Sequence, residues 1–189
     1  MPIIIGVSGN RGSFSEEAAT YYCHKENISE YQIEYLIGMD NVLNALTAGK
    51  IEIGIFPIEN SNGGIVYESV YAMSRYIFTI EQLFEIDIKM NLLGKPGVKT
   101  ADIKKIVSHQ QALRQCRMYL KRVWPELELE EYVDTASAAK DLSEGKLDST
   151  CAVIAPLVCA ELYGLDVLEA SIQDLKFNFT TFIAARQPK

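Results

Sequence analysis

Two polar stretches hold most of the residue types that could do chemistry. PIENSNGG, Pro57 to Gly64, sets a carboxylate (Glu59), two amides (Asn60, Asn62), a hydroxyl (Ser61) and two glycines directly behind the apolar run IGIF. The glycines, Gly64 among them, let the backbone approach a ligand closely, while Asn60, Ser61 and Asn62 supply neutral donors. A tight turn would use some of these residues but has no need of the acid, so a binding role is the better reading. The second stretch, NFTTF, closes the chain. On a strand, Asn178, Thr180 and Phe182 share one face, with Phe179, Thr181 and Ile183 on the other. Such a strand either points polar groups at a ligand or is a half-exposed edge strand, and the pattern fits both.

Two further segments sit where apolar runs give way to helical patterns. In GVSGNRGSFSEEAA, backbone N–H groups among Gly6, Gly9 and Gly12 could face an anion at a helix N-terminus, although turn geometry explains such glycines as well. Arg11 and Ser13 lie in the same loop, and no GK[ST] follows to make it a nucleotide-phosphate loop. In VSHQQALRQC, His109 can donate to a ligand or cap the helix. His24 reads as a surface residue. No metal-ligand spacing and no GxSxG elbow occur, which argues against metal-dependent and serine-hydrolase chemistry.

The elements needed to position these residues follow from periodicity. PIIIGV, QIEYLI and IEIGIFPI read as strands, separated by the helical patterns SFSEEAATYYCHK and MDNVLNALTAGK, and Ile65 to Arg75 reads as helical. Ser13 or Ser15 is the expected N-cap of the first helix. Ile77 to Leu93 reads as one long strand-like crossover. Beyond it KKIVSH, LELEEYV, TCAVIA and DVLEA are strands, and QQALRQCRMYLKRVW, ASAAKDLSEGK and PLVCAELYG are helices. Strands alternating with helices predict parallel sheets in an α/β fold with two lobes and a central cleft. The first lobe takes about residues 1–77 and 176–189, the second about 78–175, the last strand returning to the first lobe. The chain of 189 residues, 48% hydrophobic, is long enough for such cores. Its net charge of −7 argues against a nucleic-acid partner. No apolar run of about 18 residues and no basic leader occur, which predicts neither a membrane span nor a signal peptide. Four cysteines without CxxC pairing read as buried reduced thiols, so a cytoplasmic location is expected.

Together these segments resemble the catalytic domain of the prephenate dehydratase family. GNRGSFSEEAA is similar to that family's GPxGTFSExAA, with Asn10 for proline and Ser13 for threonine. PIENSNGG matches PxENSxxG, SHQQALRQC resembles SHPQALxQC with Gln110 for proline, and DTASAA resembles STAxAA with Asp134 for serine. YGLDVLEASIQDLKFNFTTF follows YGLxxLxxxIxDxxxNxTRF in spacing. The match runs in order along essentially the whole chain. It implies two α/β lobes similar to type II periplasmic binding proteins, with a site in the cleft.

The resemblance also implies a carbon–oxygen lyase that uses no cofactor and converts prephenate, or arogenate in some members, to an aromatic product with loss of CO2 and water. Aromatisation drives the reaction, so the protein has to orient a dianion, desolvate the ring carboxylate and protonate the leaving hydroxyl. By position, Thr180 matches the proton donor or relay, with Glu59 or His109 able to share the proton. Ser13, Asn60, Ser61 and amides around Gly12 and Gly64 would hold carboxylates. Gln111, Thr135 and Asn178 would be second-tier wall residues of the site, and Phe182 would pack the motif in place. A homodimer is the family's common state.

Thr181 stands where the family has arginine, and alternation points it away from the Thr180 face. Arg11 is a candidate to supply the missing cation. Family members usually continue into a phenylalanine-sensing ACT domain, and this chain stops about seven residues past the motif; if the chain is complete, feedback through such a domain is expected to be absent, and a partner supplying the domain and a trimmed chain stay open as alternatives. Three readings compete: a prephenate or arogenate dehydratase, a non-aromatising prephenate decarboxylase, and a non-catalytic binding module.

Overall fold

The computed structural model describes residues 2–188. They form two compact units, the first running to Asp87 and resuming at Phe179, the second spanning Ile88–Asn178. In chain order the first unit carries β1 (Ile3–Val7), α1 (Phe14–Lys25), β2 (Tyr31–Tyr35), α2 (Met39–Thr47), β3 (Ile53–Asn60), β4 (Gly64–Ile65), α3 (Tyr67–Met73) and β5 (Thr79–Asp87). The second carries β6 (Asn91–Gly94), β7 (Lys105–Ser108), α4 (Gln110–Gln115), α5 (Arg117–Val123), β8 (Glu128–Glu131), α6 (Thr135–Ser143), β9 (Cys151–Ala155), α7 (Val158–Tyr163) and β10 (Asp166–Glu169). β11 (Phe179–Arg186) then completes the first unit.

Each unit is built on a mixed sheet. In the first the order is β2-β1-β3-β11-β5, with β4 paired to β3. β1 runs parallel to β2 and β3, while β11 is antiparallel to both of its neighbours. In the second, of order β10-β6-β9-β7-β8, β6 is antiparallel to β9 and β10. The purely parallel sheets expected from the helix–strand alternation are therefore not found. β11 enters its sheet as the chain returns from the second unit, without the crossover helix that parallel pairing requires.

The Ile77–Leu93 segment is two strands in two sheets, not one. β5 pairs along its length with β11, from Thr79↔Arg186 to Asp87↔Phe179, and this draws it into the first unit. The division accordingly falls at Asp87–Ile88, later than residue 77. The predicted helix after His109 likewise breaks at Cys116 into α4 and α5.

β11 is buried on both faces, so the edge-strand alternative does not hold. On the α1 side Phe182, 1% exposed, stacks on Phe84 with ring centroids 6.0 Å apart, and Phe84 meets Tyr22 at 5.5 Å. On the other side Ile183 and Ala185 join Phe56 and the α2 and α3 residues Val42, Leu43, Leu46 and Ala72. Burying a side chain such as Phe182 contributes about 1.5–3 kcal/mol, which anchors the strand that carries Thr180. The second unit packs Leu93, Val107 and Val153 against Ala136, Ala139 and Leu142 of α6. All four cysteines are buried and free, and burial pushes the Cys23 thiol up to about 11 and Cys116 to about 12.

Asp174, the acid of the IQD segment, is a helix cap. Its carboxylate accepts from the backbone N–H groups of Met118 and Tyr119, both at 2.8 Å, at the start of α5. Asp174→Ala leaves those donors without their partner, and a loss of about 1–2 kcal/mol in urea unfolding is expected.

Candidate active site

The structure brings Asn60, Ser61 and Thr180 together within the first unit. The β3–β11 register sets Thr180 opposite Asn60 and Thr181 opposite Glu59. The Asn60 side chain is 9% exposed. Its Oδ1 accepts from the backbone N–H groups of Asn62 (3.0 Å) and Gly63 (2.8 Å). Those two donors fix the orientation of the amide, so Nδ2 must point at β11. There it donates to Phe179 O (3.1 Å) and Thr180 Oγ1 (2.9 Å). Thr180 Oγ1 is thus an acceptor toward Asn60, and its own hydrogen is not used in that bond.

Ser61 continues the ladder past the end of β3. Its N–H donates to Phe179 O at 2.8 Å, and its Oγ accepts from Phe179 N at 3.0 Å. The Ser61 hydroxyl hydrogen is not used in either bond. Gly64 opens β4 with φ of 77°, a backbone region that disfavours a side chain. Asn62 and Gly63 spend their N–H groups on Asn60, so the turn's amides serve the protein before any ligand.

Glu59 is not a neighbour of Thr180. It is exposed and is the register partner of Thr181, on the opposite face of the sheet. The expectation that it shares a proton with Thr180 is corrected by strand alternation. Thr181 also lies beside Glu85 on β5 and donates to its Oε1 at 3.3 Å. The position at which the family has arginine is thus flanked by two carboxylates, one on each side.

In the first loop Ser13 caps α1, its Oγ accepting from Glu16 N at 3.4 Å. Glu16 reaches back to accept from Gly12 N at 2.5 Å and from the Tyr35 hydroxyl at 2.5 Å. This capping box places the protein's own carboxylate at the helix start, so the Gly12 amide is not open to a substrate carboxylate. A Cβ added at Gly9 would lie 2.3 Å from Ser13 Oγ, which explains that glycine by packing. Arg11 is exposed in this loop.

The remaining candidates belong to the second unit. His109 is the N-cap of α4, its Nδ1 accepting from Gln111 N at 3.3 Å, which leaves the ring hydrogen on Nε2. Gln111 is half-buried in the first turn of α4. Thr135 opens α6 behind Asp134, which caps that helix through Ser137 N at 2.7 Å. Asn178 is fully buried, donating to Ile88 O (3.2 Å) and Gln115 Oε1 (3.0 Å). It braces the chain from a buried position, behind any surface that could meet a ligand. Ser69 of α3, which sequence patterning does not single out, donates its hydroxyl to Pro57 O at 2.5 Å; the available signal was Pro57 itself, a proline inside a strand, which implies an irregular ladder. Among the described residues no group of three His, Cys, Asp or Glu could hold a metal ion, and no helix is long and apolar enough to cross a membrane.

The described residues form a two-unit α/β protein, each unit on its own mixed sheet. A solved structure titled an ABC transporter from Parabacteroides distasonis shares that fold at TM-score 0.55 and 13% identity, with 99% of this chain and 66% of that one covered. The prephenate dehydratase model matches residues 5–189, and the chain belongs to the prephenate dehydratase family. It is 35% identical to arogenate dehydratase 2 of Petunia hybrida, over 97% of this chain and 45% of that protein. Identity to the bifunctional chorismate mutase/prephenate dehydratase of Stutzerimonas stutzeri is 32%, over 96% and 48%. The chain thus spans under half the length of either relative. The prephenate dehydratase of Arthrobacter aurescens, solved with L-Phe, superposes at TM-score 0.88 and 29% identity, covering 99% of this chain and 60% of that one.

Thr181→Arg would set a cation between Glu59 and Glu85. A gain of about 0.2–1 kcal/mol in unfolding free energy is expected at low salt, shrinking as salt is added. An equal gain at every salt concentration would show that the ion pairs do not form.

Proposed function

We propose that the chain acts as a prephenate dehydratase, with arogenate as the second substrate its relatives support. The observation that carries this reading is the bond from Asn60 Nδ2 to Thr180 Oγ1 at 2.9 Å, which leaves the threonine hydrogen to be donated. Proton delivery to the leaving hydroxyl is the step this chemistry needs. When that oxygen leaves as water, the electrons of the departing CO2 close the aromatic ring.

Thr180 is assigned as the donor or relay, and the hydroxyls of Ser61 and Ser13 as carboxylate contacts. Arg11 is assigned as the cation for a substrate carboxylate. Thr181 does not argue for a changed reaction in this reading, because its side chain is on the face away from Thr180. The roles proposed for His109, Gln111 and Thr135 rest on the resemblance of their segments to the family motifs. The choice between prephenate and arogenate turns on a keto or an ammonium group; arogenate is kept because the 35%-identical Petunia relative is an arogenate dehydratase.

A cytoplasmic location is in keeping with the four free cysteines. For a homodimer the supporting surface is α3, where Tyr67, Val70 and Tyr71 are 65%, 42% and 63% exposed on one helix face. Tyr71→Glu is expected to shift the sedimentation of a dimer toward the monomer; a parent that already sediments as a monomer ends this part of the reading.

Incubation with prephenate at pH 8 followed by NMR is expected to give phenylpyruvate. A product that keeps its ring hydroxyl would assign the decarboxylase reading instead, and unreacted prephenate together with unreacted arogenate would leave a binding module. Thr180→Val should lower kcat by about 10²–10⁴-fold, the range for loss of a positioned acid, with Thr180→Ser retaining most activity. Arg11→Ala should raise KM with little change in kcat, and an unchanged KM removes Arg11 from the assignment.

A further inference from the structure

We propose that Ser69 is a positioning residue whose hydroxyl holds the bulge in β3 that places Asn60, and not Glu59, opposite Thr180. The proposal rests on the dehydratase reading for its kinetic consequence, but its structural premise is independent of that reading.

The β3–β11 pairing is regular from Ala185↔Gly54 to Phe182↔Pro57, and then passes directly to Thr181↔Glu59 and Thr180↔Asn60. Ile58 has no partner on β11. Had the register continued unbroken, Thr181 would meet Ile58 and Thr180 would meet Glu59. Because strand side chains alternate, one inserted residue exchanges the side chains on each face from that point on. The bulge therefore decides whether Thr180 meets a carboxamide that can donate to it or a carboxylate that cannot.

Pro57 and α3 make the bulge. Pro57 has no N–H, so the ladder lacks a donor where the register shifts. Along a regular strand, successive carbonyls point to opposite sides of the strand. Here two successive carbonyls are held by one short segment: Ile58 O accepts from Val66 N at 2.9 Å, and Pro57 O accepts from Ser69 Oγ at 2.5 Å. Ser69 is fully buried, and its own N–H donates to Val66 O at 3.0 Å at the entry to α3. Val66 and Ser69 thus grip both carbonyls of the irregular step. Without the Ser69 hydroxyl, Pro57 O loses its buried partner, and the strand is released to relax toward the unbroken register.

The test compares Ser69→Ala with Ser69→Thr, each checked for a native circular dichroism spectrum. For Ser69→Ala, kcat on prephenate is expected to fall about 10–100-fold with KM little changed, the scale of a small misplacement of a reacting group. Ser69→Thr keeps the hydroxyl and should restore kcat. A second readout needs no activity: the side-chain amide hydrogens of Asn60, followed by NMR, should be protected in the parent and exchange rapidly in Ser69→Ala. A parent inactive on prephenate and arogenate but with protected Asn60 hydrogens would overturn the dehydratase reading and keep the bulge assignment. Folded Ser69→Ala with parental kcat and parental Asn60 protection overturns the proposal. If Ser69→Ala does not fold, Ser69→Cys, a weak donor of similar size, is measured for Asn60 protection, and parental protection there overturns it equally.

Discussion

The carboxamide of Asn60 is the group on which the arrangement of the first unit's polar end depends. One side chain closes the turn through two backbone donors, ties that turn to β11 through Phe179 O, and orients the hydroxyl of Thr180. Its setting is largely buried, so a bond lost there is not replaced by water, and each broken partner costs on the order of 1–3 kcal/mol. The cost ties the geometry of the turn to that of the threonine. β11 can serve as the fixed side of this connection because Phe182 and Ile183 anchor it in cores on opposite faces of the sheet.

Alternation along β11 separates two tasks that the sequence places side by side. Thr180 faces Asn60, whose side-chain amide donates to its hydroxyl. Thr181 faces Glu59 and Glu85, where the family's arginine would have two carboxylates as neighbours. In this chain a hydroxyl bonded to Glu85 replaces that cation. An exposed ion pair contributes little to stability, so a hydroxyl at this position costs the strand little.

Several polar residues in the recognisable segments are there to satisfy the backbone. Asp174 caps α5, Asp134 caps α6, Glu16 closes a capping box with Ser13, and Asn178 braces Ile88 and Gln115. Each stands at a helix start or an irregular loop, where backbone donors and acceptors lack ladder partners and need side chains. Mixed sheets with short helices create many such positions, so a chain of this fold carries polar signature residues that hold its own backbone in place.

Local patterning was enough to read most of the strands, the first helix with Ser13 or Ser15 as its cap, and the opposite facing of Thr180 and Thr181, because these depend on periods of 2 and 3.6 residues and on caps close in sequence; the choice of Ser13 came from the structure. That PIENSNGG and NFTTF lie close together was legible from the family resemblance and not from their residue types. Their hydrogen bonds were not, since Asn60 and Thr180 are 120 residues apart. The antiparallel placement of β11, the break at Ile88 that sends β5 and β6 to different sheets, and the buried role of Asn178 came from pairings across the chain. The pairing of Glu59 with Thr181 depends on one unpaired residue, Ile58, held out of register by a proline and a serine on another element. A bulge is a competition between distant hydrogen-bond partners for the same carbonyls, and that competition is decided only when α3 packs against β3.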